Sequence, residues 1–259
     1  MRTSGFMVVL SDERRDAVTE LLNIGFGRAA ASLSALTNAR VELLVPEVQM
    51  CRIEELGAVL RPHISGEIAS VHQVFSGPVA GDALLVLDRS SAEVLSQLLT
   101  DEILLPLAVD ISAREVIAEV GNILLNACLG VFGNLLHVQV TFAVPSVTLE
   151  ALEAVVSSLV IGSEELSHAI VVHAEFRLKD SGVTGYLVMV LGVSSIERLM
   201  AGIDTWMAEQ RSWARNGAVG GPLSPSVELG QRLHRIRPAA LGAAASSRGA
   251  AQSVRWSVV

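Results

Sequence analysis

The same order of predicted helices and strands occurs twice along the chain, and this repetition limits the fold more than any other feature. Apolar residues spaced at about 3.6 predict a long helix at the start of each half, and shorter apolar runs predict three strands and a second helix after it. The predicted helices are 12–36, 90–99, 112–134 and 194–207, and the predicted strands are 39–48, 66–74, 82–87, 137–147, 169–178 and 185–191. Two copies of one structural unit are therefore expected.

A direct match between the halves supports the repetition. GDALLVLDRSS at 81–91 resembles GYLVMVLGVSS at 185–195. We therefore predict an α/β (α+β) fold, a pseudo-twofold duplicated domain in which two long helices pack on a β-sheet. The domain covers 1–209, with halves of about 11–100 and 110–209 that share one core.

Residues 210–259 differ from this domain in composition. Alanine, glycine, serine, proline and arginine dominate there without a period of 3.6 or 2, which predicts a disordered tail. An out-of-frame read of GC-rich DNA would give the same composition. Seven of the 19 basic residues but one of the 27 acids lie in the tail, so it carries +6 and residues 1–209 carry −14. Such an acidic body is a poor ligand for polyanions, and nucleic acid is not expected as a partner.

The most apolar segment, 120–149, contains no charged residue. It does contain asparagines, a histidine and a proline, and polar groups in lipid need internal partners, so we interpret it as a buried helix and strand without membrane insertion. Cys51 and Cys128 lie in no CxxC or Cys/His cluster, and the N-terminus lacks a signal peptide. We expect a cytoplasmic protein with neither a disulfide framework nor a metal site.

Both long helices carry polar residues at i, i+4 and i+7, followed by a proline 23 residues after the third. At about 100° per residue, these offsets return to within about 40° of the start, so each trio forms one polar stripe. The two sets are Asp16, Glu20, Asn23 and Pro46 in the first half and Glu115, Glu119, Asn122 and Pro145 in the second. Their recurrence predicts a shared function, although a single Glu/Asn pair is usually a solvated helix face.

The doubled pattern resembles the CheC family of bacterial chemotaxis phosphatases. In that family pattern, an acid or serine is followed by three residues and Glu, then by two residues and Asn, and then by 22 residues and Pro. LLNIGFGRAAASLSALTNARVELLVPEV is similar to the first motif of that family and EVGNILLNACLGVFGNLLHVQVTFAVP to the second. The resemblance covers about 11–200. It implies removal of the phosphoryl group from the aspartate of a phosphorylated CheY-type response regulator.

The resemblance also implies a role for each motif residue. Glu20 and Glu119 would pair with the active-site lysine of the regulator, and Asn23 and Asn122 would aim a water at phosphorus. An amide suits that task because it can offer one donor and one acceptor. The other four motif residues would support the site or bind the regulator. The family needs no cofactor of its own, since the magnesium sits on the regulator, and it implies CheD, a receptor deamidase, as a further partner.

The first motif departs from the family pattern in two places. Leu22 stands where glycine is usual, and Arg28 stands where asparagine is usual. At Glu115 of the second motif, serine or aspartate is commoner. Bulk and charge at the first site are therefore expected to change how it docks.

Two other interpretations compete with the phosphatase. The middle domain of the flagellar switch protein FliM resembles CheC but lacks its Glu/Asn pairs, so a non-catalytic binding or scaffold module is the alternative. Retention of both pairs favours the enzyme, and two motifs fit CheC better than the single motif of CheX. Residues 25–30 match GxGxxA, but they lie inside a helical pattern, which predicts close helix packing instead of a dinucleotide site.

Overall fold

The computed structural model describes residues 10–37, 40–43, 47–64, 66–100, 111–161, 166–178 and 181–215. Within these ranges, the chain forms the predicted α+β fold, with six α-helices and eight strands where four helices and six strands were expected. The helices are α1 (Asp12–Thr37), α2 (Leu56–Leu60), α3 (Arg89–Thr100), α4 (Ile111–Leu135), α5 (Leu152–Ile161) and α6 (Val193–Arg215). The strands are β1 (Val41–Leu43), β2 (Glu47–Arg52), β3 (Glu67–Ser76), β4 (Gly81–Asp88), β5 (Thr141–Phe142), β6 (Ser146–Ala151), β7 (Leu166–Leu178) and β8 (Ser181–Gly192).

The strands form one antiparallel sheet in the order β1-β7-β8-β4-β3-β5, with β2 also paired to β7 and β6 also paired to β3. The strands that follow α1 thus pair with the second half of the chain, and the strands that follow α4 pair with the first half. At the centre, β4 and β8 join the halves, with Leu84 opposite Val188. The halves therefore share one sheet, as expected. Their origin by duplication stays a prediction.

The sheet is covered on both faces. The main core lies beneath α1, α3, α4 and α6, and a smaller core lies on the opposite face beneath α2 and α5. Buried helix residues of the main core include Val18, Leu21, Leu95, Ile117, Leu125 and Ile203, and those of the smaller core include Leu56, Leu60, Leu152 and Leu159. The long apolar helix α4 meets the length and composition of a membrane span, but more than half of that stretch is buried within the protein. It packs as a core helix.

The predicted strand 39–48 contains β1 and the first two residues of β2, and residues 44–46 between them lie outside the described residues. The predicted strand 137–147 is wrong as a continuous element. It begins late because α4 ends in a Schellman motif: the N–H of Val138 donates to Gly133 O at 2.9 Å, and the N–H of His137 donates to Asn134 O at 3.2 Å. His137 adopts φ 51°, which turns the chain away from the helix axis. The strand pairing resumes only at β5.

Three helical segments differ from prediction. The 3₁₀ turn Ile53–Glu55 with α2, and helix α5, occupy stretches that the sequence analysis left between strands. The final helix, predicted over 194–207, continues to Arg215 and buries Trp206 to 5% exposure in the main core. The predicted domain boundary at 209 therefore falls within α6. Residues 216–259 lie outside the described residues, and disorder of the tail stays a prediction.

Candidate functional site

The first polar stripe lies on the outer side of α1. This helix begins where the Ser11 hydroxyl accepts the N–H of Arg14 at 3.3 Å, a side-chain cap. Its apolar positions then enter the core, and Val18 and Leu21 are fully buried. As a result, Asp16 and Glu20 are exposed and Asn23 is partly buried at the foot of the stripe. The predicted helix face is observed for the first trio.

The second stripe occupies the corresponding side of α4. Glu115 is exposed, and Glu119 and Asn122 are partly buried. The intervening Ile117 and Val120 are buried in the main core. The second trio thus lies slightly deeper than the first, and each helix brings its own Glu and Asn together within one turn.

The two helices that carry the stripes contact each other at a glycine. A Cβ on Gly25 of α1 would lie 3.1 Å from Ala127 O and 3.2 Å from Cys128 Cα of α4. This close approach confirms the predicted packing role for Gly25. Gly27, by contrast, faces open space, with nothing within 4 Å of an added Cβ.

Asn122 lies in a cluster of amides that the sequence analysis missed. Its Oδ1 accepts a hydrogen bond from Asn126 Nδ2 at 2.7 Å and a longer one from Gln73 Nε2 at 3.4 Å. Gln73, on β3, is 1% exposed and also donates to Ala143 O at 2.9 Å. A signal for this cluster was present in the sequence, because Asn126 follows Asn122 by one helical turn and Gln73 is polar at an inward position of an apolar strand.

Pro145, the proline of the second motif, does not lie in a helix. Pro46 falls outside the described residues. Pro145 stands between β5 and β6, two residues after Ala143, whose N–H donates to Val74 O at 2.9 Å. A proline is tolerated at the end of a strand because no ladder hydrogen bond is lost there, so the position of Pro145 has a structural explanation.

Charged residues surround the beginning of α1. The guanidinium of Arg14 donates two hydrogen bonds to the Asp204 carboxylate of α6, from Nε at 2.9 Å and from Nη2 at 2.7 Å. These bonds lower the pKa of Asp204 and raise that of Arg14. Further along α1, burial lowers the pKa of Arg28. Arg14 and Arg28 thus lie before and after the first stripe along α1. Arg28 is the residue that stands where asparagine is usual in the family pattern.

The parts of the chain that the structure describes contain no group of three His, Cys, Asp or Glu side chains arranged to hold a metal ion. The expectation that the protein uses no cofactor of its own stays a prediction.

Comparison with known proteins identifies relatives of both the sequence and the fold. The profile of the CheC-like family matches residues 13–50, which span α1 to β2. The CheY-P phosphatase CheC of Bacillus subtilis (strain 168) is 26% identical over 207 residues, covering 75% of this chain and 95% of that protein.

Two solved structures share the fold. FliY of Thermotoga maritima has a TM-score of 0.62 at 20% identity, covering 76% of this chain and 99% of that chain. The FliM middle domain of Vibrio alginolyticus has a TM-score of 0.50 at 18% identity, covering 71% and 99% respectively. The fold therefore occurs both in FliY and in the FliM middle domain.

Proposed function

This chain is a chemotaxis protein of the CheC-like family, and from that premise we propose that it is a protein phosphatase acting on the aspartyl phosphate of a CheY-type response regulator. The observation that carries the proposal is the recurrence of a Glu and an Asn, three residues apart, on both α1 and α4, with each of the four side chains exposed or partly buried. The similarity to a protein named CheY-P phosphatase over 95% of that relative's length supports the substrate.

The residue types fit the chemistry of an acyl phosphate. An aspartyl phosphate is already activated, and the regulator supplies the magnesium, so the phosphatase needs to position a water in line with the phosphorus–oxygen bond. In the proposed complex, Glu20 or Glu119 pairs with the regulator's lysine, and Asn23 or Asn122 holds the water. Both asparagines lie on regular helices, which are rigid enough to insert an amide into another protein's site. Asp16 and Glu115, one turn earlier, would contact the regulator.

The test is phosphate release from a purified CheY-type regulator that has been phosphorylated by a small phosphodonor in the presence of magnesium. The wild-type protein is expected to accelerate release above the regulator's own rate. Asn23→Ala and Asn122→Ala should each remove part of that acceleration, and the double variant should remove nearly all of it. Loss of a positioned hydrogen-bond donor in an enclosed site costs about 10²- to 10³-fold in rate. A wild-type protein that adds nothing to the regulator's rate would overturn the proposal.

A non-catalytic binding module is the second candidate, because the FliM middle domain has the same fold. On this alternative, the protein binds its regulator or a motor component without phosphate release. A binding measurement on the phosphorylated regulator, made alongside the release assay, separates the two: binding without acceleration supports the scaffold. Binding of CheD stays a prediction, and a pull-down with purified CheD would test it.

A further inference from the structure

The direction of the Asn122 amide is set by a neighbouring backbone carbonyl. Gln73 donates from Nε2 to Ala143 O at 2.9 Å, and a backbone carbonyl can only accept, so this end of the Gln73 amide is the NH₂ group. The same NH₂ group faces Asn122, so the Asn122 atom 3.4 Å away is the oxygen. Asn126 must then present its own NH₂ group to that oxygen, at 2.7 Å. The chemistry therefore fixes the orientation of all three amides.

The carbonyl that begins this chain of hydrogen bonds is itself held in place. Ala143 donates its N–H to Val74 O of β3 at 2.9 Å. Pro145 restricts the backbone of the preceding Val144 to extended conformations, so the segment has few ways to turn the Ala143 carbonyl aside. This gives the motif proline Pro145 a physical connection to the motif asparagine, through Ala143 and Gln73.

Among the residues that the structure describes, the corresponding surroundings of Asn23 lack these groups. One turn after Asn23 stands Gly27, where α4 has Asn126. On the sheet face that carries Gln73, β7 presents the apolar residues Ile170, Val172 and Ala174 to the main core. The amide cluster is thus a property of the α4 site, and it is not shared by the fold as a whole.

The amide cluster stabilises the core less than apolar residues would. Gln73 Oε1 and Asn126 Oδ1 are buried without a hydrogen-bond partner among the described residues. Unpaired buried acceptors lower stability, so apolar residues of similar size would serve packing better. Packing does not explain why Gln73 and Asn126 are amides at these positions, whereas a role in orienting Asn122 does.

We propose that Gln73 and Asn126 are positioning residues that turn the Asn122 oxygen inward and leave its NH₂ group as the only part of the amide available to a reactant. The proposal rests on the phosphatase function above. Two donors occupy the two lone pairs of Oδ1, so Asn122 acts as a donor and not as the donor and acceptor expected from the sequence.

In the reaction, Asn122 would orient the attacking water through its NH₂ group alone. The attacking water accepts an N–H from Asn122 on one lone pair and directs the other at phosphorus. A water oxygen–phosphorus bond forms while the bond between phosphorus and the aspartyl oxygen breaks. The electron pair leaves with the aspartate, and a water proton passes to the phosphate product. A donor-only amide orients this water without removing its proton.

The experiment isolates the α4 site in an Asn23→Ala background. In that background, Gln73→Met and Asn126→Leu remove the two donors while keeping apolar bulk, and Asn134→Ala is the control, since Asn134 bonds to Gly130 O of its own helix, outside the cluster. We expect each of the first two variants to lower kcat about 10- to 10²-fold, as for a misplaced reactant, with KM within about twofold. The control should keep the kcat of the background.

The outcomes separate the two proposals. The phosphatase proposal stands if Asn23→Ala still accelerates release and Asn122→Ala in that background abolishes it. If Gln73→Met and Asn126→Leu then keep full kcat, the positioning role is wrong. If no variant accelerates release, side-chain amide NMR decides the geometry alone. The NH₂ signals of Gln73 should then be protected from exchange with water and those of Asn122 should exchange fast, whereas equal protection of both would overturn the orientation.

Discussion

Gly121 of α4 lies so close to Val71 of β3 that a Cβ added to the glycine would stand 2.6 Å from Val71 Cγ1 and 2.7 Å from its Cβ. Gly121 directly precedes Asn122, and its contact brings α4 close to β3, the strand that carries Gln73. In α1, the corresponding position is Leu22, which is fully buried. A glycine at 121 is therefore needed for the close approach of helix and strand at the second site.

Gly121→Ala is expected to destabilise the protein in spite of the higher helix propensity of alanine. Overpacking costs about 1–3 kcal/mol and the propensity gain is about 1 kcal/mol, so we expect a net loss of about 1 kcal/mol in the free energy of unfolding. Urea denaturation measures this. Val71→Ala removes Cγ1 and Cγ2, two of the three clashing atoms, and keeps Cβ, so it should relieve part of the clash and the double variant should be less destabilised than the sum of the two single variants. Additive losses would show that the contact is not the cause.

Gly27→Ala is the matched control in α1. Nothing lies within 4 Å of a Cβ at this position, and residue 27 is exposed in the middle of the helix. Alanine should therefore stabilise the protein, by about 0.5–1 kcal/mol. A loss of stability in the same urea experiment would contradict the open surroundings of Gly27.

Much of the site could be predicted from periodicity, and the rest depends on long-range pairing. The stripes on α1 and α4 follow from residue spacing alone, because the helices are long and their apolar faces are regular. Helix α5 was missed because it is short and apolar nearly throughout, so that burial against the sheet decides its conformation. The exchange of strands between halves, and with it the approach of Ala143 to Gln73, depends on contacts between residues about 70 positions apart.

Asp88 caps α3, and its removal is expected to weaken that helix. Its carboxylate accepts the N–H of Ser91 at 2.7 Å and the hydroxyls of Ser90 and Ser91. Asp88→Ala should cost about 1 kcal/mol at pH 7, and Asp88→Asn, which keeps a capping oxygen, should cost less. Thermal or urea unfolding of the three proteins measures the difference. Equal losses in both variants would show that a neutral capping oxygen does not replace the carboxylate, and no loss in either would show that the cap contributes nothing.

The cost of Asp88→Ala should depend on pH. Burial raises the pKa of Asp88, but the hydrogen bonds from Ser90 and Ser91 outweigh it, so the pKa is lowered in the folded protein. A lowered carboxyl pKa contributes stability above the unfolded value of about 3.9, and that stability is lost as pH falls through the folded pKa. The difference between wild type and Asp88→Ala should therefore be constant from pH 5 to pH 7 and shrink below about pH 4. A difference that grows on acidification would contradict this sign.

The two cysteines should react slowly with thiol reagents in the native protein. Burial, together with the charge of Glu55, raises the pKa of Cys51 to about 11, and burial raises that of Cys128 to about 12. The thiolate is the reactive form, so at pH 8 both should be labelled far more slowly than a free cysteine. Cys128, which is fully buried, should react only when the protein unfolds, and the partly buried Cys51 should react first. Mass spectrometry of timed labelling checks the order, and fast native labelling of Cys128 would contradict the packing of α4.

The Arg14–Asp204 ion pair is expected to couple α6 to the first turns of α1, just before Asp16. The pair is bidentate, but its side chains are 32% and 46% exposed, so solvent screening limits its contribution. A double-mutant cycle with Arg14→Ala and Asp204→Ala should give a coupling of about 0.5–1 kcal/mol in the free energy of unfolding, which falls as salt is added.

A neighbouring pair on α1 provides the control for this cycle. Arg15 and Asp12 form a single contact at 2.9 Å across one helical turn, with 48% and 91% of their side chains exposed. Their coupling should be no more than about 0.3–0.5 kcal/mol, because both residues are solvated and belong to the same helix. The Arg14–Asp204 coupling should exceed it. The Arg14 hydrogen bond lowers the pKa of Asp204, so the coupling should be full above about pH 4 and should be lost as pH falls further, through that lowered pKa. Equal couplings in the two cycles would mean that the ion pair does not hold α6 against α1.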